Sequence, residues 1–126
     1  MKEQYISLET AKLAKEKKVH IEGCCEVYSQ EGGAARTPNG GKWNWEEYDK
    51  SEFCLRPTQS LLARWLRENN LHIEIDYSDT CGVKGFIVYL NDIQNNRYLN
   101  YDVIPYDTYE EAMEAGLQCA LNHLRW

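Results

Sequence analysis

The stretch TYEEAMEAGLQCALNHL, Thr108 to Leu124, constrains the fold more than any other part of this chain. Thr108 stands as an N-cap, and Glu111 three residues later completes a capping-box pattern. Glu110, Glu111 and Glu114 sit toward the positive end of the helix dipole, His123 and Arg125 toward the negative end. Met113, Gly116, Leu117, Ala120, Leu121 and Leu124 recur at helical spacing and form one apolar face. Two of them, Gly116 and Ala120, are small. A glycine inside a helix costs about 1 kcal/mol relative to alanine, so Gly116 points to close packing, of the kind a sheet surface demands.

The preceding residues supply that sheet. Leu71 to Tyr77 alternates, with Leu71, Ile73, Ile75 and Tyr77 on the inner side and His72, Glu74 and Asp76 on the outer. Ser78 to Gly82 reads as a turn. Gly85 to Leu90 is the most apolar run and is expected at the centre of the sheet. Asn91 to Asn96 is a second turn, and Arg97 to Tyr101 a third strand. Upstream, Pro57-Thr58 opens a helix with the stripe Leu61, Leu62, Trp65 and Leu66, ended by Asn69-Asn70. The order helix, strand, strand, strand, helix with short turns predicts an antiparallel meander with helices packed on one face, an α+β fold.

The first part of the chain is expected to add a helix and a hairpin. Ser7 is a plausible N-cap for a helix with Leu8, Ala11 and Leu13 or Ala14 on its apolar side and Lys12, Lys15, Glu16, Lys17 and Lys18 around it. Val19 to Ile21 and Cys25 to Tyr28 look like strands. Residues 29–42, with two glycine pairs and Pro38-Asn39, read as a long loop. Trp43-Asn44-Trp45 alternates as a returning strand would, closing a hairpin over 19–48, and residues 46–53 read as irregular. At 126 residues the chain fits a single domain over 1–126, with 1–56 as helix plus hairpin and 57–126 as the α-β-β-β-α core.

Charge separates the two parts. Residues 57–126 carry five basic side chains against ten acidic ones, a net of −5, whereas residues 1–56 carry nine against ten. An acidic C-terminal part does not suit a surface built to neutralise phosphates. No apolar run approaches the roughly 20 residues that span a membrane, and the N-terminal residues lack the apolar core of a signal peptide, so a cytoplasmic location is expected. Cys24, Cys25, Cys54, Cys81 and Cys119 show no CxxC spacing, and free thiols are expected. His20, Cys24 and Cys25 form one cluster of metal-ligand types, but a structural zinc site needs two well-spaced pairs, so neither a metal nor a cofactor is expected.

The core order resembles that of the double-stranded-RNA-binding domain. That family grips phosphates with lysines at the start of its last helix, where this chain has Glu110, Glu111 and Glu114. The resemblance implies the topology and not RNA binding. The segments ISLETAKLAKEK, PTQSLLARWLRENNLHIEI and TYEEAMEAGLQCAL are similar to a group of small proteins from gut Bacteroidetes and their phages or mobile elements. That likeness covers the first helix and most of residues 57–121. It implies an accessory cytoplasmic protein, with a phage origin among the options, and brings no site residues.

Two surfaces stand out as candidates for binding. One is aromatic, Trp43, Trp45 and Tyr48 beside the long loop. The other is the outer sheet face with His72, Glu74 and Asp76. Catalysis needs ionisable groups that converge, and no nucleophile or metal-hydrolase spacing is present; Cys81 in its turn has no evident histidine partner, so no catalytic residue is assigned. The favoured expectation is a protein-interaction module with an acidic surface. The alternative is a nucleic-acid binder using the Lys-rich first helix, the 29–42 loop with Arg36 and Lys42, and Arg56. A small ligand-binding protein or enzyme comes third.

Overall fold

Residues 4–29, 31–36, 41–80, 82–99 and 104–124 are described by the computed structural model, with only the backbone described at Thr80 and Val83. The chain divides into two compact units, Met1–Thr58 with Leu124–Trp126, and Gln59–His123. The fold is α+β, with two antiparallel three-stranded sheets.

In the first unit, helix α1 spans Leu8–Glu16, and the Ser7 hydroxyl accepts the Thr10 N–H at 3.2 Å, as the N-cap position requires. Its buried side is Thr10, Ala11 and Ala14, with Leu8 and Leu13 only half-buried. The helix ends in a Schellman motif. Lys18 takes the left-handed conformation (φ 56°), its N–H bonds the Lys15 carbonyl, and the Val19 N–H reaches back to the Ala14 carbonyl. That return explains why Val19 to Ile21 is not the expected strand: the backbone of Val19 is committed to the helix end, and Val19 and Ile21 are buried in irregular chain.

The expected hairpin over 19–48 is much shorter. Strands β1 (Glu26–Tyr28) and β2 (Ala34–Arg36) pair directly, and between them Gly32 sits at φ 86° and the Ser29 N–H donates to the Gly33 carbonyl at 2.8 Å. Residues 37–40, the middle of the expected loop, lie outside the described residues. Trp43 to Trp45 forms no strand. Asn44 caps helix α2 (Trp45–Lys50), its side-chain oxygen accepting the Glu47 N–H at 3.2 Å. Glu46 and Glu47 in the first turn and Lys50 in the last suit the helix dipole, a signal that the Trp-Asn-Trp alternation concealed. The other edge of β1 is taken instead by β3 (Cys54–Leu55), giving the order β2-β1-β3.

In the second unit, helix α3 (Gln59–Glu68) precedes strands β4 (Leu71–Thr80), β5 (Val83–Asp92) and β6 (Arg97–Tyr98), and helix α4 (Tyr109–Asn122) closes it. Asn70, at φ 71°, ends α3 as expected. The β4–β5 ladder is longer than the alternation suggested, running without interruption from Leu71↔Asp92 to Thr80↔Val83. Ser78 to Thr80, expected in a turn, extend the strand instead, and Gly82, between the two strands, sits at φ 79°. β5 is the central strand: β6 pairs with its far end, and Tyr106 exchanges two 2.8 Å backbone bonds with Phe86. Of the expected strand to Tyr101, residues 97–98 pair, and Asn100 and Tyr101 lie outside the described residues.

Both helices lie on one face of this sheet and against each other. The Thr108 hydroxyl accepts the Glu111 N–H at 3.1 Å, and Met113, Gly116, Leu117, Ala120 and Leu121 are buried. Gly116 provides the close packing expected of it. A Cβ there would stand 2.9 Å from Ile73 Cγ2 and 3.4 Å from Val88 Cγ1, so the helix backbone lies directly on the sheet. The start of α3 is tied to α4 by the buried Gln59 amide, which donates to the Glu110 carbonyl at 3.0 Å and to Glu114 Oε1 at 3.1 Å.

Candidate binding surfaces

The cap at Asn44 places Trp43 and Trp45 on either side of the start of α2, and Tyr48 one turn further on. The result is an aromatic cluster around His20. The His20 ring stacks on Trp45 with centroids 4.5 Å apart and planes 4° from parallel. Trp43 lies 6.1 Å from Trp45, and Tyr48 meets Trp43 and Trp45 edge-on at 5.2 and 5.5 Å. Trp43 Nε1 donates to the Cys24 carbonyl and Trp45 Nε1 to Glu22 Oε1, both at 2.8 Å, and His20 Nε2 meets Asp49 Oδ1 at 2.8 Å.

The three aromatic candidates are therefore not equivalent. Tyr48 is only 2% exposed, and its hydroxyl accepts the Leu55 N–H at 2.8 Å. Burial pushes its phenol well above the ordinary tyrosine range. Tyr48 is a support, closed to a partner, while Trp43, Trp45 and His20 are half-buried and keep part of their rings at the surface. The sequence placed His20 beside the cysteines as a ligand type; the structure commits it to Asp49 and Trp45 instead. Among the described residues no group of three or more His, Cys, Asp or Glu side chains could hold a metal ion.

Several cations named for nucleic-acid binding are engaged within the first unit. Lys15 Nζ donates to the Ser51 carbonyl at 2.6 Å and to the Phe53 carbonyl, and lies 4.5 Å from the Tyr48 ring centre. Burial lowers its pKa from the usual lysine value. Arg56 pairs with Glu26 at 3.1 Å and lies over Tyr5 at 3.9 Å. Arg36 is exposed and reaches Cys25 Sγ at 3.6 Å, while Lys12 and Lys18 remain at the surface. The thiols of Cys24 and Cys54 are buried, and burial raises the pKa of Cys24. Cys81 lies outside the described residues.

In the second unit, His72, Glu74 and Asp76 share the face of β4 opposite the helices, as alternation requires. His72 Nε2 lies 4.0 Å from Glu74 Oε1. The ladder adds residues the sequence did not single out: Glu74 stands opposite Tyr89, and the Tyr98 hydroxyl donates to Glu74 Oε2 at 3.2 Å. That bond raises the Tyr98 pKa. Tyr89 and Tyr98 meet edge-on at 5.9 Å. Only the pairing register identifies them, because they come from two other strands. The face is not uniformly wet: Asp76 is exposed, His72 and Glu74 are half-buried, and Ile87, opposite Asp76, is buried. The alternation from Leu71 puts Tyr77 on the inner side. It lies on the helix side but is 55% exposed, stacked edge-on against Phe86, which in turn meets Tyr109.

Charge follows the division into units. Residues 59–123 hold four basic and ten acidic side chains, a net of −6, and the remaining residues hold ten of each. No described helix is long and apolar enough to cross a membrane. Comparison with models of protein families, with curated proteins and with solved structures finds no match to this chain.

Proposed function

We propose that this chain is a cytoplasmic protein-binding module whose acidic unit, residues 59–123, engages a basic surface on another protein. The observation that carries the reading is the segregation of charge: the whole net charge of −6 falls in one unit of 65 residues. Asp76, Asp79, Asp107, Glu110 and Glu111 are all exposed there. A concentrated negative field speeds encounter with a positive partner and opposes binding to nucleic acid. It suits a partner whose own task is to contact phosphates, because that partner's cations would serve both ligands. An accessory role of this kind accords with the resemblance to small proteins of gut Bacteroidetes and their phages or mobile elements.

The test compares the wild-type chain with a variant carrying Asp76→Asn, Asp79→Asn, Glu110→Gln and Glu111→Gln in affinity capture from a bacterial lysate. The reading expects basic proteins retained by the wild type, released by moderate salt, displaced by DNA, and lost with the variant. Identical capture by both chains, or retained partners without a basic surface, would overturn it.

A further inference from the structure

We propose that the outer edge of β4 accepts an extended segment of a partner protein as an added strand, and that this segment alternates apolar residues with lysine or arginine. The inference rests on the acidic-module reading above and specifies how the partner is held. The register settles which backbone groups face outward. Phe86 gives both its N–H and its C=O to Tyr106, and Leu90 gives its C=O to Leu99. The residues opposite them, Tyr77 and Ile73, therefore belong to the non-hydrogen-bonded pairs of the β4–β5 ladder. By the same alternation Ile73, Ile75, Tyr77 and Asp79 all direct their N–H and C=O away from β5. Among the described residues no backbone hydrogen bond meets these groups.

Such an edge is a ready template for another strand, and proteins usually blunt it with lysine, proline, a bulge or short length. β4 has none of these. Its sequence LHIEIDYSDT lacks Lys, Pro and Gly, its ten pairs with β5 run in unbroken register, and it is twice the usual strand length of about 5–6 residues. It does carry Glu74 and Asp76 on the face opposite the helices, with Leu71, Ile73, Ile75 and Tyr77 on the other. Those acids select the occupant. An antiparallel second copy centred on Ile75 would align the apolar faces but set Glu74 against Asp76 twice. A parallel copy in register would set each acid beside itself. Like charges directly opposite destabilise a strand pair, and opposite charges stabilise it. A segment with cations at those positions satisfies both faces of the edge, and its backbone supplies the missing hydrogen bonds.

The experiment uses the full chain and three ten-residue peptides: valine alternating with lysine, valine alternating with glutamate, and the lysine peptide N-methylated at every second residue. Binding is followed by calorimetry and by amide hydrogen exchange. The expected result is that the lysine peptide binds and slows exchange at Ile73, Ile75 and Tyr77 at least tenfold. The glutamate and N-methylated peptides bind at least tenfold more weakly. Tyr77→Pro, which removes an outward N–H, weakens binding similarly, and Glu74→Lys with Asp76→Lys reverses the preference to the glutamate peptide. Charge-dependent binding that leaves those three amides unprotected would overturn strand addition and leave the acidic module standing. Protection of the same amides without peptide, growing with protein concentration, would make a second copy the occupant and overturn the proposal. Equal binding of all three peptides would overturn it as well, while the lysate capture decides the parent reading separately.

Discussion

Gly23 and Gly41 form a matched pair whose substitution separates backbone strain from crowding. Both sit at φ +83°, and the Gly23 N–H donates to the Gly41 carbonyl at 3.1 Å. Alanine in the left-handed region costs about 1–2 kcal/mol at either position. Their surroundings differ. A Cβ on Gly23 meets nothing within 4 Å, whereas one on Gly41 would stand 2.6 Å from Gly23 O and 2.7 Å from Gly23 Cα, and closer still to the Gly23 carbonyl carbon. Those are backbone atoms that cannot swing aside, so overpacking adds about 1–3 kcal/mol. Gly23→Ala should therefore destabilise the first unit by about 1–2 kcal/mol and Gly41→Ala by about 2–5 kcal/mol. In urea, with a slope of about 1 kcal/mol/M for a unit this small, the two midpoints should differ by roughly 1–3 M. Near-ultraviolet circular dichroism of the Trp43–Trp45–Tyr48 cluster reports the transition. Equal midpoints for the two variants would refute the claim that these two chain segments touch backbone to backbone.

Tyr48→Phe leaves the buried Leu55 N–H without its acceptor and should cost about 1–3 kcal/mol in chemical denaturation; an unchanged midpoint would contradict the assigned bond. The pH dependence has a definite sign. Burial raises the Tyr48 phenol in the folded chain, so above the unfolded tyrosine value of about 10 the unfolded state releases a proton that the folded state keeps. Stability contributed by Tyr48 is complete below that pH and falls as pH rises past it, and Tyr48→Phe should flatten this decline in urea midpoints measured from pH 9 to 11. Arg56→Ala removes the partner of half-buried Glu26 and the cation over Tyr5, with an expected loss of about 1–3 kcal/mol by thermal unfolding. Asn70→Gly should leave stability within a few tenths of a kcal/mol, while Asn70→Val should cost at least about 1 kcal/mol, because the position holds φ 71°.

The second unit was legible in the sequence because its signals are local and mutually consistent. The Thr108 cap, the small residues of α4, the alternation from Leu71 and the asparagines after α3 each announce one element, and the short turns leave few ways to join them. The first unit was not legible in the same way. Its strands have two or three residues, too few for alternation to declare itself, and β1 pairs with β3 across 25 intervening residues. Trp43-Asn44-Trp45 satisfied a strand pattern while Asn44 was acting as a cap. The candidate surfaces divide likewise. Trp43, Trp45 and Tyr48 do come together, as do His72, Glu74 and Asp76, because each set is close in sequence. His20, Asp49, Tyr89 and Tyr98 join them through tertiary contacts that no spacing reveals.

The unbroken β4–β5 hairpin also bears on how the chain reaches its fold. Strands that follow one another this closely, with Thr80 paired to Val83, meet at almost no loop-closure cost, so pairing can spread from that end within microseconds, well before Tyr109 to Asn122 has to find the sheet. Until that helix docks, the strip that will lie beneath Gly116, with Ile73 and Val88, lacks its cover. Exposed strands of this composition are where nascent chains aggregate. Glu74 and Asp76 then act as gatekeepers, holding identical hairpins apart until the last helix arrives.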